Sequence, residues 1–360
     1  MHTPSYTRHL LLSLLTLTAT ATWSETVRSA RALTINTIYG TYSITEPVII
    51  DLLEHPMMQR LQKVHQYGLD YYLNKPLEYN RYEHSLGVFV LLRRFGASKL
   101  EQVAGLLHDV SHTAFSHVAD YLFKATDENN SYQDEHHEDF LRESGLAAVL
   151  EKHGISIADI HHKNKYFKGL EQELPDICAD RLEYNLMGGV VEGLISHKDV
   201  KQILNDLRYE HGRWFFTDAS SARTFAQCPL YMTEHTWTSP KSMIINVLAG
   251  ELLQTALDAR VVSLNDIRFG TDEAIWITMN QTNNSSVWKV LSKIYYCVDN
   301  FSLTDEHQYD LFTKGKFRGI NPWVKRNGNF YRLTDIDPEF KLAYDTLKDT
   351  MNRGWYIKYQ

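Results

Sequence analysis

The feature that most constrains this chain is the segment from Gly105 to Asp120, which follows an apolar run and is dense in side chains that bind metals or transfer protons. Five ionisable groups stand within these sixteen residues, namely His108, Asp109, His112, His117 and Asp120. Burying charged groups is unfavourable unless they are paired or coordinate a metal. The segment therefore predicts a helix that ends in a functional site rather than an ordinary core helix.

The adjacent pair His108 and Asp109 supplies an imidazole nitrogen and a carboxylate oxygen, a mixed donor set that suits manganese, iron, zinc or magnesium. Two ligands hold an ion poorly, so others must come from elsewhere in the chain. The candidates are His84, in the motif Asn-Arg-Tyr-Glu-His-Ser-Leu-Gly, and Asp180, in the motif Asp-Ile-Cys-Ala-Asp-Arg-Leu-Glu-Tyr. Each alone is typical of a structural residue, either a hydrogen-bonded core histidine or a helix-surface carboxylate paired with Arg181. Their joint occurrence, each followed by an apolar helical run, predicts that all four bind one divalent ion.

Helical spacing of apolar residues runs through most of the region between residues 35 and 200. We predict helices over Pro47 to Gln66 with a break at Pro56, and over Tyr82 to Phe95, Leu100 to Leu107, Ser116 to Phe123, Glu138 to Leu150 and Asp176 to Met187. Further along we predict a strand over Gly212 to Asp218, a helix over Ser242 to Arg260, helix starts at Ser263 and Gly270, strands from Lys314 onward, and a helix over Asp337 to Met351. The chain is thus predicted to be mostly α, with a helical catalytic body over residues 35–210 and a smaller α+β C-terminal lobe over residues 211–360.

Composition limits the classes of partner. The chain is 43% hydrophobic and 22% charged, as is typical of a globular protein, and its formal net charge of -7 gives no overall positive field for binding nucleic acid. A nucleotide-sized anion is compatible with this charge, because a few local cations suffice to bind it. Cys178, Cys228 and Cys297 are far apart and form no CxxC pair, which indicates packed thiols.

The N-terminal segment, residues 1–24, has the layout of a secretory signal peptide. Arg8 and His9 precede an apolar run from Leu10 to Leu17, and the small residues Ala19-Thr20-Ala21 follow. A run of roughly 8 to 14 apolar residues is too short for a transmembrane helix, which needs about 20. We therefore predict no transmembrane helix, and either export, for example to a periplasm, or a cytoplasmic protein with a disordered or amphipathic tail.

Several short motifs follow one another in order along most of the chain. They are Tyr39-Gly40, Gln59-Arg60-Leu61, His65-Gln66-Tyr67-Gly68, Asn80-Arg-Tyr-Glu-His-Ser-Leu-Gly-Val, Leu107-His-Asp-Val-Ser-His-Thr-Ala-Phe-Ser-His, His137-Glu138, Asp180-Arg-Leu-Glu-Tyr184 and Asp266-Ile-Arg-Phe-Gly. In these motifs the sequence resembles the HD-domain phosphohydrolases, and within them the SAM-and-HD-domain type deoxynucleoside triphosphate triphosphohydrolases, without the SAM domain. The resemblance implies an HD-domain helical body, one divalent metal ion, a nucleotide substrate and assembly into homo-oligomers.

The resemblance also implies roles for residues around the metal. The implied ligands are His84, His108, Asp109 and Asp180. His112 and His137 would line the phosphate side of the pocket, with Glu138 as an orienting partner. His117 would be the general acid or phosphate-binding histidine, and Asp120, three residues later, is close enough on one helix face to orient its imidazole.

The same resemblance implies the contacts with the substrate. Arg81 and Arg181 would contact phosphate oxygens, for which the planar fork of arginine is suited. Gln66 and Tyr184 would lie near the nucleoside. The implied reaction is attack of water on the α-phosphorus of a deoxynucleoside triphosphate, with release of nucleoside and inorganic triphosphate, and His117 would protonate the departing side.

Three positions depart from the family's pattern. Arg181 stands where the family has a lysine, which keeps the charge. Gly188 stands where an acidic residue is expected near the sugar hydroxyl, which weakens the case for a preference between deoxy- and ribonucleotides. The segment Asn36-Thr-Ile-Tyr-Gly lacks the acidic residue and histidine typical of a nucleotide-activated site, so no such site is predicted.

Three other features are open to a functional interpretation, although we favour a structural one. His136-His137 and His161-His162 could mark a second metal site, but surface histidines are expected there, except at His137. The basic and aromatic stretch from Lys314 to Arg326 could contact nucleic acid or a regulatory nucleotide, but a solvated strand face is expected. Gly188-Gly189 is expected to end a helix, since no GxxxxGK pattern surrounds it.

The function predicted from the sequence is that of a metal-dependent, dGTPase-like phosphohydrolase acting on deoxynucleoside triphosphates. One alternative is an HD phosphomonoesterase or phosphodiesterase acting on nucleoside monophosphates or cyclic nucleotides. Another is a non-catalytic nucleotide-binding protein that keeps the fold, which the presence of every expected ligand disfavours. Release of triphosphate or of orthophosphate separates the first two.

Overall fold

α-Helices make up most of the described chain, which comprises residues 31–123, 131–161 and 164–360 of a computed structural model. Their bounds are α1 Pro47–Leu53, α2 Pro56–Arg60, α3 Asp70–Leu73, α4 Arg81–Arg94, α5 Lys99–Leu107, α6 Val118–Leu122, α7 Tyr132–Glu135, α8 His137–Glu143, α9 Leu146–Lys152, α10 Ala179–Val191, α11 His197–Asp206, α12 Ala219–Met232, α13 Pro240–Asp258, α14 Leu264–Phe269, α15 Asp272–Gln281, α16 Ser285–Cys297, α17 Leu333–Ile336 and α18 Pro338–Arg353. Turns of 3-10 helix cover Leu61–Lys63 and Ile157–Ile160, and a π-helical turn covers Thr233–Trp237. The prediction of a mostly α protein is confirmed. The predicted signal-like segment and His162 lie outside the described residues.

Helices α4 and α5 begin at side chains that act as N-caps. The Asn80 side chain accepts a hydrogen bond from the Glu83 amide, and the Glu83 carboxylate accepts one from the Asn80 amide, which completes a capping box. Ser98 caps α5 by accepting from the Glu101 amide. These starts fix the phase of both helices, so that His84 falls near the start of α4 and His108 caps the end of α5.

Two helix breaks follow from local backbone chemistry. Pro56 begins a new helix, so the predicted segment Pro47 to Gln66 divides there into α1 and α2 as expected, although α2 ends at Arg60 rather than at Gln66. Gly145 adopts a positive φ of 85°, which separates α8 from α9. The single helix predicted over Glu138 to Leu150 is therefore two helices.

The turn before α6 has an unusual backbone. Phe115 and Ser116 have positive φ values of 60° and 55°, so α6 begins at Val118 rather than at Ser116 as predicted. Gly68 packs directly against this turn, because a Cβ atom there would lie only 2.5 Å from the carbonyl oxygen of Phe115. The close approach of the two segments brings His117 to the wall of the cleft described below.

Strands form three small sheets within the described residues. Their bounds are β1 Leu33–Thr37, β2 Gly40–Ile44, β3 Leu207–Glu210, β4 Arg213–Phe216, β5 Phe301–Leu303, β6 Leu311–Thr313, β7 Trp323–Arg326, β8 Asn329–Arg332 and β9 Trp355–Tyr359. Strands β1 and β2 form a hairpin, the order of the second sheet is β3-β4-β7-β8 with β4 and β7 parallel, and the third is β5-β9-β6. The strands predicted from Lys314 onward begin only at Trp323, because Gly315, Gly319 and Pro322 disfavour strand pairing in between.

Two apolar clusters support the cleft. The first includes Val88 of α4, Leu106 of α5 and Leu182 of α10, and so fixes the helices that carry the predicted metal ligands. The second surrounds α13, which packs on α6 and α16, and includes Phe115 and Val118. No helix in the described part of the chain is long and apolar enough to cross a bilayer. The domain boundary near residue 210 stays a prediction.

Candidate metal centre

The four predicted metal ligands come from three helices. His84 lies near the start of α4, His108 at the end of α5 with Asp109 directly after it, and Asp180 in the first turn of α10. The Nε2 atoms of His84 and His108 are 3.2 Å apart. The Oδ1 atom of Asp180 lies 3.0 Å from Nε2 of His84 and 3.4 Å from Nε2 of His108. Because the Oδ2 atom of Asp109 is 3.3 Å from Nε2 of His84, the four side chains converge.

The separations of these atoms are those of ligands around a single ion. Donors bound about 2.1 Å from an ion, at angles of about 90° to 110°, stand about 3.0 to 3.4 Å apart. His84, His108 and Asp109 each offer a donor atom within 4.8 Å of the others, and all three are buried. The side chain of Asp180 is 22% exposed, which opens the cluster to solvent on one side. Imidazole and carboxylate donors suit several divalent metals and do not select one.

The second nitrogen of each imidazole is held by an acceptor. Nδ1 of His108 donates to the Gly105 carbonyl over 2.8 Å, and Nδ1 of His84 donates to the Glu183 carboxylate over 2.6 Å. When both rings are neutral, the Nε2 lone pairs therefore face each other, an arrangement that is repulsive unless a metal ion or a proton lies between them. Outer partners of this kind orient metal-binding histidines in proteins. The residues present fit a divalent ion.

Glu183 is the residue that anchors His84, and the sequence motifs gave it no role. It is 1% exposed and accepts hydrogen bonds from the hydroxyl groups of Tyr39, over 3.0 Å, and of Tyr79. Gly87 leaves room for it, since a Cβ atom at Gly87 would lie 2.3 Å from Oε1 of Glu183. Its spacing of three residues after Asp180 on α10 is the signal that could have identified it, because such residues share a helix face.

The Asp109 carboxylate is fixed at both oxygens. Nη1 of Arg81 donates to Oδ2 over 2.5 Å, and Nε2 of His112 lies 3.2 Å from Oδ1. Nε of Arg81 also donates to the hydroxyl of Ser116 over 3.0 Å, and this hydroxyl donates to the carbonyl of His65 over 2.6 Å. Arg81 is thus largely occupied by protein groups, although its Nη2 atom has no hydrogen-bond partner among the described residues.

The cluster stabilises positive charge. Burial lowers the pKa of His84, but hydrogen bonds to Asp180 and Glu183 outweigh this effect and raise the pKa to about 10. Burial raises the pKa of Asp109, but the charges of His108 and other cationic neighbours hold it well below its usual value. The pKa of Asp180 is also lowered, since its hydrogen bonds to the two imidazoles outweigh burial. The carboxylates therefore remain ionised and attract a cation or, without one, protons on the imidazoles.

The four side chains of His84, His108, Asp109 and Asp180 form what we call the metal-donor cluster. This cluster opens into a cleft with a volume of about 1370 Å³. Small-molecule sites usually measure about 300 to 1,000 Å³, so the cleft is large enough for a nucleotide. Its lining includes most of the residues that the sequence singled out, namely Gln66, Arg81, His108, Asp109, His112, His117, Asp120, Asp180, Arg181 and Tyr184. The structure thus brings three of the four predicted metal ligands and the predicted substrate contacts into one cavity, with His84 buried among the other ligands.

His117 and Asp120 form the contact that their spacing suggests. Nδ1 of His117 donates to Oδ2 of Asp120 over 3.0 Å, and Oδ1 of Asp120 accepts from the Tyr132 amide over 2.7 Å. The His117 side chain is 45% exposed, and its ring lies 4.9 Å from that of His112, centre to centre. Because Nδ1 is engaged, Nε2 is the atom of His117 that can exchange a proton in the cleft.

The remaining predicted substrate contacts have different surroundings. Nη2 of Arg181 donates to Oε1 of Glu171 over 3.0 Å, so this guanidinium is paired within the protein. Burial raises the pKa of Tyr184 to about 12, and its ring lies 5.5 Å from that of Trp237. Oε1 of Gln66 is buried without a hydrogen-bond partner among the described residues. This unsatisfied acceptor belongs to a residue of the cleft wall, where a donor group of a ligand would stabilise it.

Three predicted site residues do not line the cleft, namely the buried ligand His84, His137 and Glu138. Nδ1 of His137 lies 2.8 Å from the hydroxyl of Ser111 within the protein interior. Glu138 is half exposed and pairs with Arg142 over 3.3 Å. Helix α8 begins at His137, and consecutive helical residues point to different faces. His137 is therefore buried against Ser111 and Glu138 faces solvent, and the roles assigned to both residues stay predictions.

A second group of metal-type side chains, Glu171, Cys178 and Asp180, lies beside the first. Burial raises the pKa of the Cys178 thiol well above its usual value, and Glu171 is paired with Arg181. A neutral thiol is a poor metal ligand, because the thiolate is the form that binds. Cys178, Cys228 and Cys297 are free and buried, as expected for packed thiols.

Comparisons with known proteins identify the family. An HD-domain family model matches residues 81–184, a span that contains all four predicted metal ligands. The Bacillus subtilis protein named uncharacterized protein YdhJ is 30% identical over 325 residues, which cover 89% of this chain and 97% of that protein. Metal-dependent phosphohydrolase cns2 of Cordyceps militaris is 30% identical over 297 residues, covering 81% of this chain and 84% of that protein. The chain belongs to the HD-domain metal-dependent phosphohydrolases.

Two further likenesses differ in extent. Human deoxynucleoside triphosphate triphosphohydrolase SAMHD1 is 31% identical over 132 residues, which cover 30% of this chain and 21% of that protein. A crystal structure of a hypothetical protein from Aquifex aeolicus covers 86% of this chain and 92% of its own, with a TM-score of 0.64 and 16% identity. The latter shows that the fold is shared over most of the chain.

Proposed function

We propose that this chain hydrolyses deoxynucleoside triphosphates to nucleoside and inorganic triphosphate, with His84, His108, Asp109 and Asp180 holding one divalent ion. The observation that carries the proposal is the convergence of these four side chains at a cleft that also contains arginines and a histidine paired with an aspartate. Membership of the family establishes the coarser activity, metal-dependent phosphohydrolysis. The triphosphate and the deoxynucleoside are the proposed refinement.

The proposed hydrolysis depends on metal ligands that the protein holds in fixed positions. A divalent ion held there would polarise a phosphoryl oxygen and promote attack by water near neutral pH. Arg81 and His112 hold the Asp109 carboxylate in one orientation. Burial and the charge of Arg81 lower the pKa of His112 to about 4. His112 is therefore neutral at neutral pH and acts as a hydrogen-bond donor rather than as an acid.

We assign to His117 the role of general acid, which donates a proton to the leaving group. Its Nδ1 atom is held by Asp120 over 3.0 Å, while its ring is partly exposed in the cleft wall. Nε2 of His117 would hold the proton and deliver it to the departing oxygen. Histidine is the side chain most often used in this way, because its charge changes within the physiological pH range.

The volume of the cleft and the cations in its wall support a nucleoside triphosphate as the substrate. A cavity of about 1370 Å³ accommodates more than a nucleoside monophosphate, and its wall contains Arg81, Arg181, Lys168 and Arg318. Several cations are what a tri-anionic or tetra-anionic phosphate chain requires. The partial match to SAMHD1, whose printed name is deoxynucleoside triphosphate triphosphohydrolase, also favours this substrate. Gln66 and Tyr184 would contact the nucleoside.

A second candidate is an HD phosphomonoesterase or phosphodiesterase acting on nucleoside monophosphates or cyclic nucleotides. We retain this second candidate because a relative that matches most of this chain has a less specific name than the relative that matches a small part of it. The relative cns2 matches 81% of this chain, and its name specifies only a metal-dependent phosphohydrolase. The likeness to SAMHD1 covers only 30% of the chain.

The decisive experiment incubates the purified protein with Mn²⁺ and a panel of nucleoside mono-, di-, tri- and cyclic phosphates, and identifies the products by phosphorus NMR. Release of inorganic triphosphate from deoxynucleoside triphosphates supports the proposal. Orthophosphate as the only inorganic product contradicts it and favours the second candidate. Parallel assays with ribonucleoside triphosphates test sugar preference, which the glycine at position 188 leaves open. Metal analysis of the same sample identifies the ion.

A further inference from the structure

The segment from Lys314 to Arg318 follows strand β6 and lies along the cleft. The residues of this segment belong to no helix or strand, although they line the same cavity as the metal-donor cluster. The segment is held in place by apolar contacts. The ring of Phe317 lies 5.0 Å from that of Tyr344, and Gly315 packs so closely on Thr238 that a Cβ atom would lie 2.3 Å from its Cγ2 atom. The sequence predicted a solvated strand face here, and the structure shows a wall of the cleft instead.

Arg318 lines the cleft together with two tyrosines from different helices, Tyr184 and Tyr121. Burial raises the pKa of Tyr184 on α10 to about 12, and the positive charge of Arg318 opposes this rise. The pKa of Tyr121 on α6 is also about 12, raised by burial and by Asp120, and Arg318 again opposes the rise. Both tyrosines line the cleft. Arg318 therefore shares one cavity with tyrosines from α6 and α10, with His117 and with three of the four metal donors.

Arg318 and Lys314 have no hydrogen bond or ion pair with any described residue. The other arginines of the cleft differ, since Arg81 is bonded to Asp109 and Arg181 to Glu171. Arg318 is nevertheless partly buried. A guanidinium that loses hydration without gaining an acceptor is unfavourable, and an anion in the cleft would supply the missing acceptors.

From these observations we propose that Arg318, assisted by Lys314, binds a phosphate group of the substrate beyond the one held at the metal-donor cluster. The inference rests on the proposed phosphohydrolase function and extends the binding site to the C-terminal part of the chain. The bound group is a phosphate rather than nucleic acid as a polymer, because the cations line a cavity rather than an extended surface and the whole chain has a net charge of -7.

The test compares Arg318→Gln and Lys314→Gln with Arg326→Gln. Arg326 is an exposed arginine at the end of β7 that does not line the cleft, and so provides a matched control. Hydrogen bonds to charged groups contribute about 1.5 to 3 kcal/mol, which corresponds to about a 10- to 100-fold change in affinity. We expect Arg318→Gln to raise KM for the preferred nucleotide about 10-fold or more, with a smaller effect on kcat. Lys314→Gln should have a smaller effect, and Arg326→Gln none.

A binding experiment separates this inference from the proposed reaction. Titration calorimetry with inorganic tripolyphosphate, on protein loaded with Mn²⁺, should show weaker binding to the Arg318→Gln variant than to the parent, while orthophosphate binding changes little. Arg318→Lys should recover part of the affinity, because it restores the charge but not the planar fork. Unchanged KM and unchanged tripolyphosphate binding in a folded Arg318→Gln protein would overturn the proposal, as would an equal loss in Arg326→Gln. Release of orthophosphate in the nucleotide panel would reject the proposed reaction without affecting this result.

Discussion

Two groups of cleft residues differ in how their side chains are held. At the metal-donor cluster three of the four side chains have partners outside the cluster: Glu183 holds His84, the Gly105 carbonyl holds His108, and Arg81 and His112 hold Asp109. In the cleft segment from Lys314 to Arg318, the cations Arg318 and Lys314 have no hydrogen-bond partner in the described part of the chain. The metal donors are arranged before any ligand binds, and these two cations depend on the ligand to complete their contacts.

This difference has a functional consequence. A fixed donor set keeps the metal position constant, and the partners that surround the donors determine the affinity for the ion. Cations without protein partners can instead adapt to the length of the phosphate chain. Substitutions at the metal-donor cluster should therefore lower metal occupancy and kcat, whereas substitutions of Arg318 and Lys314 should mainly raise KM.

The largest expected effect is that of Asp109→Ala. It removes one proposed ligand and leaves Arg81 and His112 without their shared acceptor. Because loss of outer partners alone typically costs about 10- to 100-fold in activity or metal affinity, we expect kcat to fall by more than about 100-fold. Asp139→Ala, at an exposed position of α8, is the control and should retain full activity. An Asp109→Ala protein as active as the parent would instead revive a non-catalytic role for this cluster.

Glu183→Gln should have the next largest effect. Glutamine keeps the shape of the side chain but has only one acceptor oxygen, whereas Glu183 accepts from His84, Tyr79 and Tyr39. We expect metal affinity to fall about 10- to 100-fold, as is typical of such partners, when measured by competition with a chelator. Glu138→Gln is the control, because Glu138 faces solvent and pairs with Arg142. Equal metal affinity in Glu183→Gln and the parent protein would show that the metal-donor cluster needs no such support.

The sequence was informative where chemistry is concentrated in short motifs. His108 and Asp109 stand at the end of an apolar helix, and the N-caps Asn80 and Ser98 fix where the helices around them begin. The helical body, the break at Pro56 and the long helix α13 could be predicted from apolar spacing and proline chemistry. Local patterns of this kind are sufficient because they act within a few turns of chain.

Other features could not be predicted because they depend on contacts distant in sequence. Arg318 lies in the same cavity as Tyr184, 134 residues away in the chain, and no local pattern reveals that proximity. Glu183 depends on Tyr39, 144 residues away. The family resemblance implied Glu138 as an orienting partner at the pocket, but the start of α8 turns His137 and Glu138 to different faces.

The smallest expected effect concerns Asp272, which connects two segments of the cleft wall. Its Oδ1 atom accepts from the Phe115 amide over 2.6 Å, and its Oδ2 atom accepts from the His65 amide over 2.8 Å. The residue is completely buried at the start of α15. Burial raises its pKa to about 7, even though both amides and Arg60 act in the opposite direction. The ordinary pKa of an aspartate in an unfolded chain is about 3.9.

The sign of the pH dependence follows from these two pKa values. Between about pH 4 and pH 7 the folded protein holds the Asp272 proton more tightly than the unfolded chain, so the contribution of this group to the free energy of unfolding is greatest below pH 4 and decreases as pH rises. The slope is at most about 1.4 kcal/mol per pH unit. Asp272→Asn does not titrate, so urea unfolding across this range should show the parent losing stability relative to the variant as pH rises. A difference that stays constant with pH would mean that Asp272 is already ionised throughout, with its two amide donors and Arg60 outweighing burial. Asp272 would then resemble Asp109, a buried carboxylate that protein donors keep charged. Residues held by protein partners would then be found in the wall of the cleft as well as in the metal-donor cluster.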